Sequence, residues 1–275
     1  MTRVGFIGAG NMGFAIIKGI AESGLCENAD MCADSPCIQI SAYDNDSEKL
    51  KKLEKYNVSA CSSAAELASK CKFVFLAIKP QQLDDVLDAI KNEITDDSVI
   101  VSICAGITGE YIKSKTIENA KVVLVMPNTP LLLGEGASAI SGVKPVTEEE
   151  FDLVCKIFSS CGKVAVIPNN KMKEIIAING SSPAFIYLYS KSFIDYAKSV
   201  GIDEDVSKTL FAQTLIGSAK MITDSGYSIE ELIKMVSSKG GTTIAGLEKL
   251  YDGGLEATAK NACEACTKRA YELSK

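Results

Sequence analysis

The sequence contains no histidine among its 275 residues. This absence excludes a serine or cysteine nucleophile activated by imidazole, a histidine-ligated metal and an imidazole acid–base step. Long apolar runs are absent too, since stretches such as Phe73–Ile78 and Val99–Ile103 have the length of strands and not the ~20 residues of a membrane helix. Residues 1–13 lack the basic and apolar regions of a signal peptide, so we expect a cytoplasmic protein with no membrane partner.

The sequence also has fewer basic than acidic residues. Lysine and arginine total 29 against 35 acidic residues, and the two signs are interspersed, which argues against nucleic acid as a partner. Ten cysteines would suggest disulfides in a short secreted chain, but in a chain of this length with no leader they predict free thiols. The irregular spacing of Cys26, Cys32 and Cys37 favours an ordinary loop over a thiolate site, and we expect no metal.

Short apolar runs alternate with amphipathic segments over residues 1–168. This alternation predicts βαβ units, and hence an α/β fold with a Rossmann-type doubly wound parallel sheet and helices on both faces. The predicted strands are Val4–Ile7, Ile38–Tyr43, Phe73–Ile78, Val99–Ile103, Val122–Met126 and Val164–Ile167. The predicted helices include Met12–Ala21, Ser47–Lys55, Ala64–Ser69, Leu83–Lys91 and Glu148–Phe158, the last of which a capping box at Thr147–Glu150 opens.

After Pro168 the apolar residues follow helical spacing only. The pattern runs through Val200 and then predicts helices at Val206–Ile222, Ile229–Val236, Ile244–Tyr251 and Leu255–Leu273, with a second capping box at Ser228–Glu231. We therefore predict a dinucleotide-binding domain over residues 1–168 and an all-α domain over residues 169–275. The wide apolar faces of the helical segments predict a homodimer or a larger homo-oligomer.

A glycine-rich turn follows the first predicted strand. Gly8, Gly10 and Gly13 form the pattern G-x-G-x-x-G at the head of a helix, which is typical of a turn that holds the pyrophosphate of a dinucleotide. The first glycine permits the turn, the second lets the backbone approach the phosphates and the third lets helix and strand pack closely. The predicted cofactor contacts here are Ile7, Gly8, Ala9, Gly10, Asn11, Met12 and Gly13.

The choice between NAD and NADP depends on the end of the second strand. Asp44 occupies the position of the acidic residue that accepts the ribose hydroxyls, although it lies further from the turn than usual because the loop Leu25–Pro36 is long. A carboxylate here would repel a 2′-phosphate. A solvated turn residue is the alternative interpretation of Asp44, and we expect both cofactors to work, with NADH at least as good as NADPH.

Three later segments carry a resemblance to a known family. They are Ala77-Ile78-Lys79-Pro80, Met126-Pro127-Asn128-Thr129-Pro130 and the run from Ser238 to Leu247. In this order behind the glycine turn, the set resembles pyrroline-5-carboxylate reductase, the last enzyme of proline synthesis, over essentially the whole chain. The resemblance implies interlocked helical dimers and hydride transfer from C4 of the nicotinamide of NADH or NADPH to the imine carbon of 1-pyrroline-5-carboxylate.

The resemblance also assigns roles to residues. It implies that Ala77, Ile78, Lys79 and Pro80 line the cofactor, and that Asn128 also binds it, from a loop near the nicotinamide and without a catalytic role. The loop at Ser238 would hold the substrate carboxylate, and Thr243 would bond the ring nitrogen as the catalytic residue. The implied substrate contacts are Ser238, Gly240, Gly241, Thr242 and Thr243. Without the resemblance, the same loop is a helix N-cap with a flexible glycine pair.

This sequence departs from the family pattern at several positions. Lys239 stands where the family has proline, and Ala64 stands where many relatives have an asparagine that contacts the cofactor. The segment Asn179–Phe185 matches a family segment that is usually Ser-Gly-Ser-Gly-Pro-Ala-Tyr, and its Pro183 is expected to interrupt a helix.

Two other functions remain as alternatives. A β-hydroxyacid dehydrogenase needs a catalytic lysine in a Lys-x-x-Asn pattern, but Lys173 is followed three residues later by Ile176. A nucleotide-sensing module without catalysis would have no use for a carboxylate receptor at Ser238–Thr243.

Overall fold

The computed structural model describes residues 1–25 and 37–274, and it begins with an eight-stranded sheet in the order β3-β2-β1-β4-β5-β6-β7-β8. The predicted loop cysteines Cys26 and Cys32 lie outside the described residues. The strands are β1 (Thr2–Ile7), β2 (Ile38–Tyr43), β3 (Ser59–Ala60), β4 (Phe73–Leu76), β5 (Val99–Ser102), β6 (Lys121–Met126), β7 (Gly136–Val143) and β8 (Gly162–Val166).

Helices lie between the strands and then continue without strands to the end of the described chain. They are α1 (Asn11–Glu22), α2 (Ser47–Lys51), α3 (Ala64–Lys70), α4 (Leu83–Ile90), α5 (Gly109–Lys115), α6 (Glu148–Ser159), α7 (Ser182–Ser199), α8 (Glu204–Asp224), α9 (Ile229–Met235), α10 (Thr242–Asp252) and α11 (Leu255–Glu272). The predicted fold class, a Rossmann-type sheet followed by helices, is confirmed.

The sheet departs from the predicted parallel arrangement at one edge. Strands β1 to β6 are mutually parallel, whereas β7 pairs antiparallel with β6 and parallel with β8. An antiparallel neighbour needs only a short connection, and here a 3₁₀ turn at Thr129–Leu133 supplies it. The sequence did not predict β7 because its residues are mostly glycine, alanine and serine, which carry little β propensity.

The sheet separates two apolar cores because successive strand residues point to opposite faces. On one face, Phe6 and Phe75 stack at 4.5 Å between ring centroids, and α1 and α6 pack over them. On the other face, α3, α4 and α5 pack over residues such as Val74 and Ile100. Both faces are covered, which is the condition that a mostly parallel sheet requires.

Helix ends confirm the sequence signals in two places. The Thr147 hydroxyl accepts from the Glu150 amide at 3.3 Å while Glu150 Oε2 accepts from the Thr147 amide at 3.1 Å. Ser228 and Glu231 form the same reciprocal pair. The predicted helix Ser47–Lys55 is shorter, since α2 ends at Lys51 and a 3₁₀ turn follows at Glu54–Tyr56.

By compactness the chain divides into two units. The first is Met1–Ser181 together with Cys266–Lys275, and the second is Ser182–Ala265. Residues 169–181 thus group with the sheet in this division, and the domain boundary between residues 168 and 169 stays a prediction. None of the helices in the described ranges is long and apolar enough to cross a membrane.

Candidate functional site

The glycine turn joins β1 to α1, and two of its glycines are required by the backbone. Gly8 has a φ of 101°, and a Cβ atom on it would lie 2.3 Å from the carbonyl oxygen of Ala77. A Cβ atom on Gly13 would lie 2.2 Å from the carbonyl oxygen of Gly8. Both distances are too short for any side chain, so these two positions need glycine for the fold alone.

Gly10 is different, because no atom lies within 4 Å of the place where its Cβ would be. Its backbone is extended and caps α1 without any side-chain hydrogen bond. By helix geometry the amides of the first turn of α1 have no partner within the helix, and they lie at the positive end of its dipole, next to Gly10, which lines an open cavity. A dinucleotide pyrophosphate fits this arrangement, because the open space beside Gly10 lets an anion approach the start of α1.

Asp44 is held against the same turn. Its Oδ2 accepts from the Ala9 amide at 2.8 Å, its Oδ1 accepts from the Asp46 amide at 2.9 Å, and Lys49 Nζ lies 3.1 and 3.3 Å from the two oxygens. Partial burial raises the pKa of the carboxyl, but the two amides and Lys49 more than offset it, and the pKa is lower than its ordinary value. Asp44 is therefore an ionised group that ties the glycine turn to the end of β2.

A cavity of about 370 Å³ opens between the glycine turn, the end of β2 and the loop after β4. Two lysines and two aspartates line it, and Lys79 is exposed at the loop. The lining residues are Ile7, Gly8, Gly10, Tyr43, Asp44, Asn45, Asp46, Lys49, Ala77, Ile78, Lys79, Gln82 and Val86. The structure thus brings together Asp44, Lys79 and the glycine turn, which the sequence predicted separately.

Several lining residues were missed by the sequence analysis. Lys49 was not predicted as a site residue, although it lies only five positions after Asp44 and forms an ion pair with it at 3.1 Å. Gln82 and Val86 carry no motif, and Gln82 contributes by accepting from the Lys79 amide at 3.3 Å. A polar residue three positions after Lys79 was the available signal for Gln82.

Asn128 lies outside that cavity's lining, at the end of β6. Its Oδ1 accepts from the Ala137 amide at 2.8 Å, so it fastens the chain leaving β6 to the start of β7. Asn179 binds the other side of the same residue, since its Nδ2 donates to the carbonyl oxygens of Ala137 at 2.9 Å and of Met126 at 2.6 Å. Asn179 was noted in the sequence as part of a family segment but was not predicted as a site residue.

Asn179 belongs to a π-helical turn at Ile176–Gly180, whose Ser181 amide bonds the Ile176 carbonyl at 2.8 Å. Pro183 then stands as the second residue of α7, where a missing amide hydrogen costs little. The departure from regular helix thus lies just before Pro183.

The loop at Ser238 belongs to the second compact unit. Its chain turns through Gly240, with a φ of 71°, and Gly241 caps α10 without a side-chain hydrogen bond. The Gly241 amide donates to the Ser238 carbonyl at 2.9 Å, and a Cβ on Gly241 would lie 2.6 Å from Ser238 Oγ. Ser238, Lys239, Thr242 and Thr243 are exposed. Hydroxyl-bearing residues of two types, serine and threonine, therefore lie at the start of α10, which no side chain caps.

No group of three or more potential metal ligands occurs in the part of the chain that the structure describes. The buried Cys104 thiol has its pKa raised to about 11, mainly by burial, and it lies 3.4 Å from the carbonyl oxygen of Ile78. It is a protonated thiol that supports the loop after β4.

Family models match both parts of the chain. The model for pyrroline-5-carboxylate reductase dimerisation matches residues 169–273. A model described as NADP oxidoreductase, coenzyme F420-dependent, matches residues 3–106.

Individual relatives match over nearly the full length. The chain is 35% identical to the pyrroline-5-carboxylate reductase of Methanosarcina acetivorans, over 99% of this chain and 98% of that protein. It is 32% identical to the Escherichia coli enzyme of the same name, with the same coverage. Among solved structures, the Plasmodium falciparum pyrroline carboxylate reductase with NADP bound has a TM-score of 0.86 at 31% identity, over 100% of this chain and 98% of that one. Identity of 31% or more over nearly the whole length of this chain and of these relatives shows that the chain belongs to the pyrroline-5-carboxylate reductase family.

Proposed function

We propose that the chain reduces 1-pyrroline-5-carboxylate to L-proline with NADH or NADPH, in the last step of proline biosynthesis. The observation that carries this proposal is the full-length similarity to pyrroline-5-carboxylate reductases, which covers the sheet and the helical part alike. The open space beside Gly10 supports it independently, because it leaves room for a dinucleotide at the start of α1. When bound, the reduced nicotinamide supplies the hydride for the imine carbon.

The first unit supplies the proposed cofactor contacts. The amides of Gly10, Asn11 and Met12 face the pyrophosphate region, while Gly8 and Gly13 give the turn its shape. Ala77, Ile78 and Lys79 form the opposite wall, with an exposed lysine available to phosphate. Pro80 is outside the cavity lining and begins the 3₁₀ turn Pro80–Gln82. Asn128 acts indirectly in this proposal, because its side-chain oxygen is already bound to the Ala137 amide.

The loop at Ser238 supplies the proposed substrate contacts. A carboxylate is suited to the amides of Thr242 and Thr243 at the start of α10, which has eleven residues and no side-chain cap, while the Gly241 amide already donates to the Ser238 carbonyl. Ser238 and Gly240 complete the receptor, and Lys239 adds a positive charge beside it. The Thr243 hydroxyl oxygen orients the ring N–H of the iminium.

The absence of histidine is compatible with this chemistry. A cyclic imine binds already protonated, so the carbon is electrophilic without a strong acid from the protein. The residues then contribute orientation and electrostatic stabilisation, which are the terms that hydride transfer requires.

We propose that both cofactors serve and that NADH is at least as good as NADPH. Asp44 and Asp46 place two carboxylates at the end of β2, and Asp44 is ionised. Lys49 offsets part of this charge through its ion pair with Asp44 at 3.1 Å, which leaves room for a 2′-phosphate at a modest disadvantage.

The dimerisation domain indicates a homo-oligomer, and the second unit carries the apolar surface for it. Exposed residues there include Tyr187, Leu188, Val206, Leu210 and Ile222. We place the protein in the cytoplasm, where thiols such as those of Cys61, Cys71, Cys104 and Cys161 stay reduced.

The test is a spectrophotometric assay of NADH and NADPH oxidation with 1-pyrroline-5-carboxylate, run in parallel with NAD⁺ and NADP⁺ reduction by 3-hydroxy acids. We expect turnover with the cyclic imine alone. Turnover with 3-hydroxy acids would indicate a β-hydroxyacid dehydrogenase, and cofactor binding without any turnover would indicate a sensing module. Thr243→Ala should lower kcat/KM for the imine about tenfold or more, and Thr243→Ser should restore most of it because it keeps the hydroxyl.

A further inference from the structure

The side-chain amide of Asn179 forms hydrogen bonds within the protein through its nitrogen but not through its oxygen, among the residues that the structure describes. Its Nδ2 donates both of its hydrogens, to the carbonyl oxygens of Met126 at 2.6 Å and of Ala137 at 2.9 Å. Since both partners are acceptors, the side-chain nitrogen must face them, and the amide orientation is fixed. Its Oδ1 therefore points away from these two carbonyls as an acceptor.

That oxygen is buried and has no hydrogen-bond partner among the residues that the structure describes. A buried acceptor without a partner costs free energy comparable to a lost hydrogen bond, so such atoms are rare in native proteins. The residue sits in a π-helical turn, a rare conformation that is found frequently at functional sites. Two independent features thus point to a ligand contact at Asn179.

The position of Asn179 in the fold agrees with this interpretation. Met126 is the last residue of β6, and its pairing with Ala139 is the last of the β6–β7 ladder. Asn128 and Ala137 follow in the same register, and the two asparagines hold the ends of these strands together. The carboxyl ends of parallel strands form the edge where an open α/β sheet binds its ligands.

We propose that Asn179 Oδ1 accepts a hydrogen bond from an N–H group of a bound ligand. Within the proposed function, two groups have this chemistry: the carboxamide of the nicotinamide and the ring nitrogen of the substrate or product. Asn179 is then both a clamp on β6 and β7, through Nδ2, and a ligand-binding residue, through Oδ1.

The experiment compares ligands that share every part except the proposed donor. Dissociation constants for NADH and for ADP-ribose, which lacks the nicotinamide, are measured by calorimetry on the full-length wild type and on Asn179→Ala. L-Proline is titrated into both proteins saturated with NAD⁺. Asn179→Ser is the second variant, to be used if the alanine variant does not fold, and thermal unfolding reports the loss of the clamp in each.

If the carboxamide is the donor, Asn179→Ala weakens NADH about tenfold while ADP-ribose changes less than twofold. If the ring nitrogen is the donor, the affinity for L-proline falls about tenfold and the ratio of the two nucleotides stays constant. Equal weakening of NADH and ADP-ribose with a lower melting temperature would overturn the proposal, because it would show that Asn179 acts only as the clamp on β6 and β7. Unchanged affinities for all three ligands would overturn it as well. A wild type that reduces no 1-pyrroline-5-carboxylate would instead contradict the proposed function.

Discussion

The two compact units differ in the exposure of their large apolar side chains, which are buried in the first unit and exposed in the second. In the first unit, Phe6, Phe75 and Phe158 are fully buried in a continuous core, and a second core fills the other face of the sheet. In the second unit, α7 and α8 bury little beyond small residues such as Ala197 and Ser207. Large side chains there face outward, with Leu188 67% and Leu210 65% exposed.

This difference shows where each unit finds its stability. The first unit satisfies the requirement for a covered sheet by itself. The second exposes many large apolar side chains on α7 and α8, and exposed apolar surface of this kind marks an interface. The pyrroline-5-carboxylate reductase dimerisation model spans this unit, so we expect another copy of the chain to cover these side chains.

The largest expected effect lies in the first unit and separates binding from folding. Gly10→Asp should weaken NADH binding more than 100-fold, because a carboxylate would enter the space reserved for the pyrophosphate, while the fold stays intact. Calorimetry and thermal unfolding measure the two properties. Gly13→Ala is the matched control and should lower the melting temperature, because its Cβ would clash with the Gly8 carbonyl. Unchanged NADH affinity in folded Gly10→Asp would refute the cofactor turn.

The second prediction concerns charged substitutions on the apolar surface of the second unit. Val206 and Leu210 are four residues apart on α8 and share a face, and both are exposed. Replacing both by lysine should shift the protein to a smaller assembly at micromolar concentration, as measured by light scattering. Lys220→Gln on the same helix is the control and should leave the mass unchanged. A wild type that is already monomeric would contradict the comparison between the units.

A smaller effect concerns the internal charge of the first unit. Burial alone raises the pKa of Glu150, but Lys121 at 2.8 Å, the Thr147 amide and Lys72 bring it down to about 2. Because the pKa is lowered on folding, this stabilisation is present above pH ~4.5 and is lost as the pH falls toward 2. Glu150→Gln should cost about 2 kcal/mol at pH 7 and much less near pH 2, by urea denaturation. Glu149→Gln, an exposed neighbour, should cost little at either pH; a pH-independent loss in Glu150→Gln would exclude the ion pairs as the cause.

The smallest effect concerns cofactor choice. Asp44→Ser removes a carboxylate from the cavity and frees Lys49, so kcat/KM should shift several-fold toward NADPH relative to NADH. Both values should also fall, since the Ala9 amide loses its acceptor. A tenfold preference of the wild type for NADPH, or an unchanged ratio in the variant, would mean that Asp44 does not determine the choice.

Local patterns predicted the elements whose signals are strong. Strand β2 has the predicted bounds Ile38–Tyr43, and both capping boxes form as expected. Strand β7 escaped prediction because Gly136, Ala137 and Ser138 are small residues whose strand geometry depends on pairing with β6. The predicted helix after Asp46 is cut short near Leu53, which is fully buried against the core on the α1 side.

The part of the site that depends on the backbone, the glycine turn, could be predicted from the sequence. Gly8 and Gly13 follow from the close approach of carbonyl oxygens, and Gly10 follows from the space that a pyrophosphate needs. The side-chain contacts were not predictable in the same way: Lys49 reaches Asp44, and Asn179 reaches Ala137 across 42 positions, only because of how the chain folds. The roles that the resemblance gives to Ser238 and Thr243 stay predictions until variants are measured.

The first compact unit is discontinuous in sequence, since Cys266–Lys275 belongs with Met1–Ser181. The Tyr271 hydroxyl donates to Glu174 Oε1 at 3.1 Å, and Lys173 Nζ lies 4.6 Å from the centre of the Tyr271 ring, so a contact across almost a hundred positions completes it. During synthesis the ribosome therefore releases residues 182–265 before the sheet unit receives its last segment, Cys266–Lys275. The first unit is therefore completed only at the end of synthesis. A chain that is truncated or cleaved before α11 lacks the contacts of Tyr271 with Lys173 and Glu174.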